Sequence, residues 1–545
     1  MPEAPSAPPS RVAPRLLAAA GLLALIGGYV DLWRGGVSLA ATLLVLGYCV
    51  LLPAALWLGR PAAAAGGERP PYRAAAFVTV AVFALYAATL APTTAMWDAS
   101  EYIAVARTLG LPHPPGNPLF VLLAHVAGLV PLPVAYAVRI NLLAAAASAA
   151  SAGLWFLCAH RALRTLVPAR VPRLASAAAG TVAGATAFSV WNQSVVNEKV
   201  YTVSLLGLAL TSWLVLRWLD AQDAGDERRA DRLLLLSVWI AGLGYAVHPA
   251  GFLAGPAVAV AVLMRRPATL LRWRLLLAGG GLLVGALTLF AVEPIRSAHR
   301  PAINEGYPTA CEDGRPRLDC TLSAETARRL SDNVRRIQYG GHAVAERKAP
   351  LAAQVGMLWM YFEWQWLRDA EGRAPAAQRA LALVFLGVAL YGLAALARRD
   401  RRAWWYLAPL AATLTLALVF YLNFAYAFSQ APELGDAVRR EVRDRDYFFV
   451  WTFSAWGVFV ALGLGALWSR LARARGRRRR RCSRSRSCPR SRTSERRPDA
   501  ARPSPPTGRA TCSRRSSRTA SSSPRATTTP SRSGTRSRSR GCAAT

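Results

Sequence analysis

The sequence predicts an all-α integral membrane protein with about twelve transmembrane helices. Three observations carry this. The 545 residues are 53% hydrophobic with a positive mean hydropathy, although Gly, Pro and Arg are abundant. Apolar runs recur along the chain, many near the roughly 20 residues that a spanning helix needs. Arginines gather between those runs rather than within them.

The expected segments cover, in order, residues 14–34, 37–58, 73–92, 138–160, 174–190, 200–219, 234–248, 250–264, 275–293, 378–397, 404–424 and 447–469. The first two form an N-terminal anchor over 1–72. Segment 14–34 sits where a signal peptide would, but no small-residue cleavage pattern precedes the next run, so a retained helix is expected. Segments 234–248 and 250–264 are short for two spans. They are divided at His248-Pro249, because proline interrupts a helix and the arginines then alternate consistently. With this division the basic stretches 60–73, 161–173, 228–232, 265–274, 397–402 and 470 onward share one side. The positive-inside rule makes that side cytoplasmic, together with both termini. Asp98, Asn197-Glu198, His248, the long segment from Glu293 and residues 436–446 then lie on the outer side.

The most informative outer stretch is a polar island, Met96-Trp97-Asp98-Ala99-Ser100-Glu101-Tyr102 followed by Leu111-Pro112-His113-Pro114-Pro115-Gly116-Asn117-Pro118-Leu119-Phe120. Two carboxylates directly after an apolar span are costly unless they face water or do chemistry. On a helical turn Asp98 and Glu101 share a face. Arg107 and His113 follow, and Pro114-Pro115-Gly116 imposes a turn. The bland alternative is an interfacial loop with snorkelling charges.

The pattern WDxxEY followed by HPPGNPLF resembles the first outer loop of a bacterial polytopic glycosyltransferase family, long filed as a domain of unknown function. That family is related to a eukaryotic transmembrane protein O-mannosyltransferase and belongs to the GT-C membrane glycosyltransferases. Further similar blocks are Arg139-Ile140-Asn141-Leu142, Trp191 through Tyr201, Gly244 through His248, Arg336-Ile337-Gln338-Tyr339, Tyr361 through Trp366, and Arg443 through Phe449. The resemblance covers roughly 73–470 and implies a GT-C-like bundle as the core, after the anchor 1–72 and before a tail over 471–545.

The resemblance implies transfer of a sugar, with mannose a candidate, from a polyprenyl-phosphate donor to a protein or glycan hydroxyl on the outer, periplasmic face of a bacterial plasma membrane. The chemistry fits the residues. An attacking hydroxyl must lose its proton to a base, and the leaving phosphate gains charge that cations or backbone donors must meet. Asp98 is the expected base, with Glu101 as the alternative. Arg107, Arg139 and Arg296 are phosphate candidates, since guanidinium groups match phosphate geometry. Arg139 and Arg296 equally suit snorkelling at helix ends. Glu198 either orients an acceptor or pairs with a cation. His113 and His248 are candidate binding residues that could also serve as local caps. Trp364 and Trp366 suit sugar stacking or interfacial anchoring, and Arg445-Asp446, ahead of the last segment, could close the site or simply set topology. No cofactor or metal is expected, because family members with monophosphate lipid donors are generally metal-independent.

Cys311 and Cys320 lie in the long outer segment, and a disulfide is expected there in an oxidising compartment. No zinc-ligand spacing occurs. The charge excess is local: residues 471–545 hold 23 Arg against two acids, a net +21 of the total +36. The remaining +15 suits basic inner loops and gives no reason to expect nucleic acid as a partner.

From Cys482 onward the chain has no Leu, Ile, Val, Met, Phe, Trp or Tyr, so it cannot bury a core and disorder is expected. Thr527 to Thr535 can be encoded so that a shifted frame reads DNDTFPLWY, similar to the start of the family's outer soluble region. A frameshift after about Arg475 is therefore expected, with that outer region then missing and activity left open; a basic tail that binds anionic lipid headgroups is the alternative. Two other function classes remain open: a polytopic transporter or lipid flippase, and a non-catalytic truncated relative. Transporters place charged, broken segments at mid-membrane in repeated halves, whereas here the charged blocks sit between spans and no repeat is visible.

Overall fold

The computed structural model describes residues 12–58, 68–196, 200–340, 346–368 and 375–485, with side chains to 475. Glu198 and residues 486–545 of the tail lie outside the described residues. Within them the protein is all-α, with no strand, and its long apolar helices make it a multi-pass integral membrane protein.

The helices that matter are α1 (Val12–Trp33), α2 (Ser38–Trp57), α3 (Tyr72–Ala88), α4 (Asp98–Thr108), α5 (Pro118–Leu129), α6 (Tyr136–Ala162), α7 (Arg170–Ala185) and α8 (Phe188–Val195). They continue as α9 (Tyr201–Asp223), α10 (Glu227–Val247), α11 (Pro249–Arg265), α12 (Trp273–Ala298), α13 (Ala324–Arg335) and α14 (Leu351–Glu363). The last three are α15 (Pro375–Arg399), α16 (Arg401–Leu422) and α17 (Asp446–Arg475).

Every segment expected from the sequence is helical, but the count of spans is smaller. Nine described helices are long and apolar enough to cross a membrane, or ten if the pair α7 and α8, bent by 68°, is one span. Helices α3 and α11 are shorter. Helix α5 was not expected: its 12 residues are too few to cross, yet most of them are buried.

Helix α17 is the centre of the bundle, with 89% of its apolar window buried, against 22% for α1, α12 and α15. Those three present apolar side chains outward, as lipid-facing helices do. Helix α6 packs on α3, α7 and α9; α9 packs on α10, and α10 on α12. Small residues permit the closest approach. A Cβ on Gly180 of α7 would lie 2.3 Å from the Gly457 carbonyl oxygen of α17, so the two backbones are in direct contact, as in small-xxx-small membrane packing.

The two ends of the bundle differ. At one end the basic stretches are held by carboxylates. Arg161 Nε donates to Asp220 at 3.1 Å and its NH1 to Asp400 at 2.9 Å. Arg164 and Arg217 also reach Asp220. Arg265 and Arg402 share Asp223, Arg266 pairs with Glu227, and Arg272 with Asp231. Helix α9 leaves this end at Asp223 and, about 33 Å away at 1.5 Å per residue, starts at Tyr201 in the cavity described next. Helix α10 makes the reverse journey from Glu227 to His248.

Candidate active site

At the second end a cavity of about 490 Å³ opens between the start of α4, the turn before α5, the start of α9, the end of α10, the segment after α13 and the residues before α17. Asp98, Glu101 and His113 come from the polar island and Glu305 from the segment after α12; Arg336, Arg443 and Arg445 come from the late segments; Tyr201, His248, Tyr447 and Phe448 add rings.

The island does not span. Trp97 takes a positive φ of 69° as the N-cap of α4, turning the chain so that Asp98 and Glu101 occupy the helix's first turn. Acidic groups are favoured there by the helix dipole. Glu101 is engaged twice by His113: Oε1 accepts the backbone N–H and Oε2 meets the ring Nδ1, both at 2.6 Å. Asn117 ties the turn to two helices, accepting from the Tyr102 hydroxyl at 3.0 Å and donating to the Val247 carbonyl at 2.6 Å. Burial, and then the nearby Glu101 charge, push the Tyr102 phenol above its ordinary pKa, so it serves as a neutral donor.

The aromatic side is built around Tyr201. Its ring meets His248 edge-on at 5.1 Å, stacks with Tyr447 at 5.9 Å and touches Trp451 at 5.1 Å. His248 in turn stacks on Trp451 at 5.6 Å and its Nδ1 accepts the Ala250 N–H at 3.1 Å. The cations are shaped by rings and backbone. Arg443 lies between the Trp97 and Tyr447 rings, 4.2 and 4.6 Å from their centroids. Arg445 pairs with Glu441 at 3.0 Å, and its backbone N–H donates to the Tyr361 hydroxyl at 2.7 Å. Arg336, the left-handed C-cap of α13, lies over Tyr339 at 5.2 Å. The arrangement brings carboxylates, positive charge and ring faces to one cavity, with Arg443 on the ring of Trp97 beside Asp98 and Tyr339 in contact with both His113 and Arg336. Among the described residues, no three of His, Cys, Asp and Glu converge as a metal-binding group.

Of the residues singled out from sequence, Asp98, Glu101, His113 and His248 line this cavity. The three expected phosphate arginines do not. Arg107 lies over Tyr136 at 5.0 Å. Arg139 donates to the Gly128 and Leu132 carbonyls at 3.1 and 2.8 Å. Arg296 donates to Leu109 and Thr108 at 2.7 and 3.0 Å. The last two satisfy carbonyls left open where α5 and α4 end. Arg336, Arg443 and Arg445 are the cavity's cations; the sequence pointed to Arg445 as able to close the site, but not to Arg336 or Arg443, although two of the quoted blocks contain them. Trp364 and Trp366 lie outside the cavity, with the Trp366 indole donating to Ala183 at 3.0 Å. Cys311 and Cys320 are disulfide-bonded, with Cα atoms 5.1 Å apart.

Comparison with known proteins gives a partial relationship. The family profile "Protein O-mannosyl-transferase TMEM260 N-terminal domain" matches residues 98–271. The mouse protein O-mannosyl-transferase TMEM260 is 36% identical over 182 residues, which cover 31% of this chain and 23% of the mouse protein. This chain is therefore related to the eukaryotic O-mannosyltransferase over that stretch. The matched stretch is shorter than the 73–470 suggested by the sequence motifs. It starts at Asp98 and holds Asp98, Glu101, His113 and His248 of the cavity, while Glu305 and the three arginines lie beyond it. No solved structure matches the chain.

Proposed function

We propose that the protein is a membrane glycosyltransferase of GT-C type that moves a sugar from a polyprenyl-phosphate donor to a protein or glycan hydroxyl, with the reaction on the face opposite the basic end. The observation that carries this reading is the convergence on one cavity of Asp98, the Glu101–His113 couple, the cations Arg336, Arg443 and Arg445, and the rings of Tyr201 and Tyr447. Asp98 accepts the proton of the acceptor hydroxyl as its oxygen bonds to the anomeric carbon. The bond from that carbon to the phosphate oxygen breaks, and the lipid phosphate departs with the electron pair. The arginines meet the charge it gains, and their planar forks suit a phosphate. Glu101 holds His113 and shapes the turn beside the base. The rings of Tyr201 and Tyr447 give a sugar an apolar face to lie on.

The duty first assigned to Arg107, Arg139 and Arg296 passes to the cavity's own cations, because those three are committed to a ring and to backbone carbonyls. The positive-inside rule assigns the ion-paired basic end to the cytoplasm and the cavity to the outer leaflet, where a lipid-linked donor can reach it. The acceptor follows the related protein's name: a hydroxyl-bearing protein side chain is the first to test. The experiment is a transfer assay with labelled polyprenyl-phosphate sugars, comparing the full-length protein with Asp98→Asn. Label in the acceptor that depends on Asp98 supports the reading. Donor movement across the bilayer with no acceptor labelling would replace it with a flippase.

A further inference from the structure

A second cavity, of about 470 Å³, lies at the basic end and has no part in the proposed reaction. It is walled by the turn after α6, by the end of α15 and by the last turns of α17. Tyr391, Trp468 and Ser469 line it, with Arg398, Arg399 and Arg473; no carboxylate does. Measured along α17, Arg473 is roughly 40 Å from Tyr447 at 1.5 Å per residue, so this cavity and the proposed active site are at opposite ends of one helix.

The arginines here differ from their neighbours. Arg161, Arg164, Arg217, Arg265, Arg266, Arg272 and Arg402 each hold a carboxylate. Among the described residues Arg398, Arg399 and Arg473 hold none, and Arg473 donates only to the Ser469 carbonyl at 3.0 Å. Three exposed guanidinium groups around one hollow, with no carboxylate among them, give it a positive field that favours an anion. The rim matches a lipid rather than a soluble ion. Trp468 is 50% exposed and Leu471 60% exposed on the flank of a spanning helix, where an indole belongs at the membrane interface. Basic hollows between spans on the inner side suit anionic headgroups.

We propose that this cavity binds the phosphate of an anionic phospholipid headgroup from the inner leaflet, with Arg398, Arg399 and Arg473 as its ligands and Trp468 against the acyl boundary. The proposal is independent of the glycosyl-transfer reading.

The test uses the purified full-length chain, so that the basic tail contributes equally to every arm. Lipid retained by the protein is measured by native mass spectrometry after reconstitution in phosphatidylcholine alone or with added phosphatidylglycerol. The unsubstituted protein should retain phosphatidylglycerol, and the combined variant Arg398→Gln/Arg399→Gln/Arg473→Gln should retain roughly tenfold less or lower still. Arg274→Gln, which alters a basic-end arginine lying over Trp273 outside the cavity, should retain it fully. Thermal unfolding in detergent should be the same for all three proteins. Equal retention by the combined variant, or an equal loss in Arg274→Gln, would overturn the site. Displacement of the lipid by inorganic phosphate at comparable concentration would assign the hollow to a soluble anion and overturn the lipid source.

Discussion

Glu293 and Asn333 meet in a buried hydrogen bond, the carboxylate Oε2 accepting from the Asn333 amide at 2.8 Å across 40 residues of sequence. Glu293 is 2% exposed and Asn333 4%. The same carboxylate lies against Gly116, whose φ is +82° and whose added Cβ would sit 2.3 Å from Oε1. One side chain of α12 thus fixes both the turn that carries His113 and the helix α13 that ends in Arg336. It touches neither reacting group, so it acts by position.

The first prediction follows from that bond. Glu293→Ala should lower transfer while leaving Asp98 and Arg336 in the chain, and Glu293→Gln, which still offers Asn333 an acceptor, should recover most of it. Leaving a buried donor unpaired costs about 1–3 kcal/mol, so Glu293→Ala should also unfold at a lower temperature. Gly116→Ala should behave like Glu293→Ala, since it adds both strain and a clash. Full activity in Glu293→Ala would remove the positioning role.

Asp98→Asn keeps the shape and removes the base. Transfer should fall by roughly a hundredfold or more, the scale of a lost general base. Glu101→Gln should cost less, because its role is to hold His113. If Glu101→Gln abolished transfer and Asp98→Asn did not, the two roles would be exchanged.

For the cations, the expected signature is a loss shared between donor binding and turnover. Arg443→Gln and Arg445→Gln should each raise the donor KM and lower kcat, because a phosphate contact strengthens as the leaving group gains charge. Arg139→Gln should change transfer little and stability more, since its guanidinium serves the Gly128 and Leu132 carbonyls. Measuring kcat and KM separately for the three variants decides between these assignments.

How much of this was legible in the sequence depended on the range of the signal. Spanning helices declare themselves within about 20 residues, and all the expected segments are helical. Helix α5 escaped because its apolar run is too short to cross, yet it is buried by neighbours far away in the chain. Asp98, Glu101 and His113 were legible because one short motif carries all three. Of the cavity's cations only Arg445 was singled out, because Arg336 and Arg443 reach the cavity only through the fold. Arg139 and Arg296 looked like anion ligands for the reason that they cap helices: both roles place a guanidinium beside oxygen atoms at a helix end.

The ion-paired end yields a stability prediction. Arg161 is 6% exposed and joins Asp220 of α9 to Asp400 ahead of α16. Removing Arg161 takes the cation from Asp400 while Asp220 keeps Arg164 and Arg217; breaking a buried pair costs up to about 3–5 kcal/mol. Arg161→Ala should therefore lower the unfolding temperature in detergent far more than Arg402→Ala, whose side chain is 54% exposed and whose pair is worth about 1 kcal/mol or less. Equal shifts for the two variants would mean that the network is solvated and contributes little.

The last prediction concerns which end faces out. The basic end should be cytoplasmic, because arginines flanking spans are retained on that side, and the segment holding Cys311 and Cys320 should then be outside. A membrane-impermeant thiol reagent, applied to intact cells after mild reduction, should label these two cysteines, located by mass spectrometry. Cys482, Cys488, Cys512 and Cys542 lie beyond the last span and should label only after permeabilisation, which makes them an internal control. Cys158 is buried within α6 and should stay unlabelled in both conditions. Labelling of the tail cysteines in intact cells, with Cys311 and Cys320 protected, would invert the protein in the membrane. The proposed active site would then face the cytoplasm, and a donor presented on the outer leaflet could no longer reach Asp98.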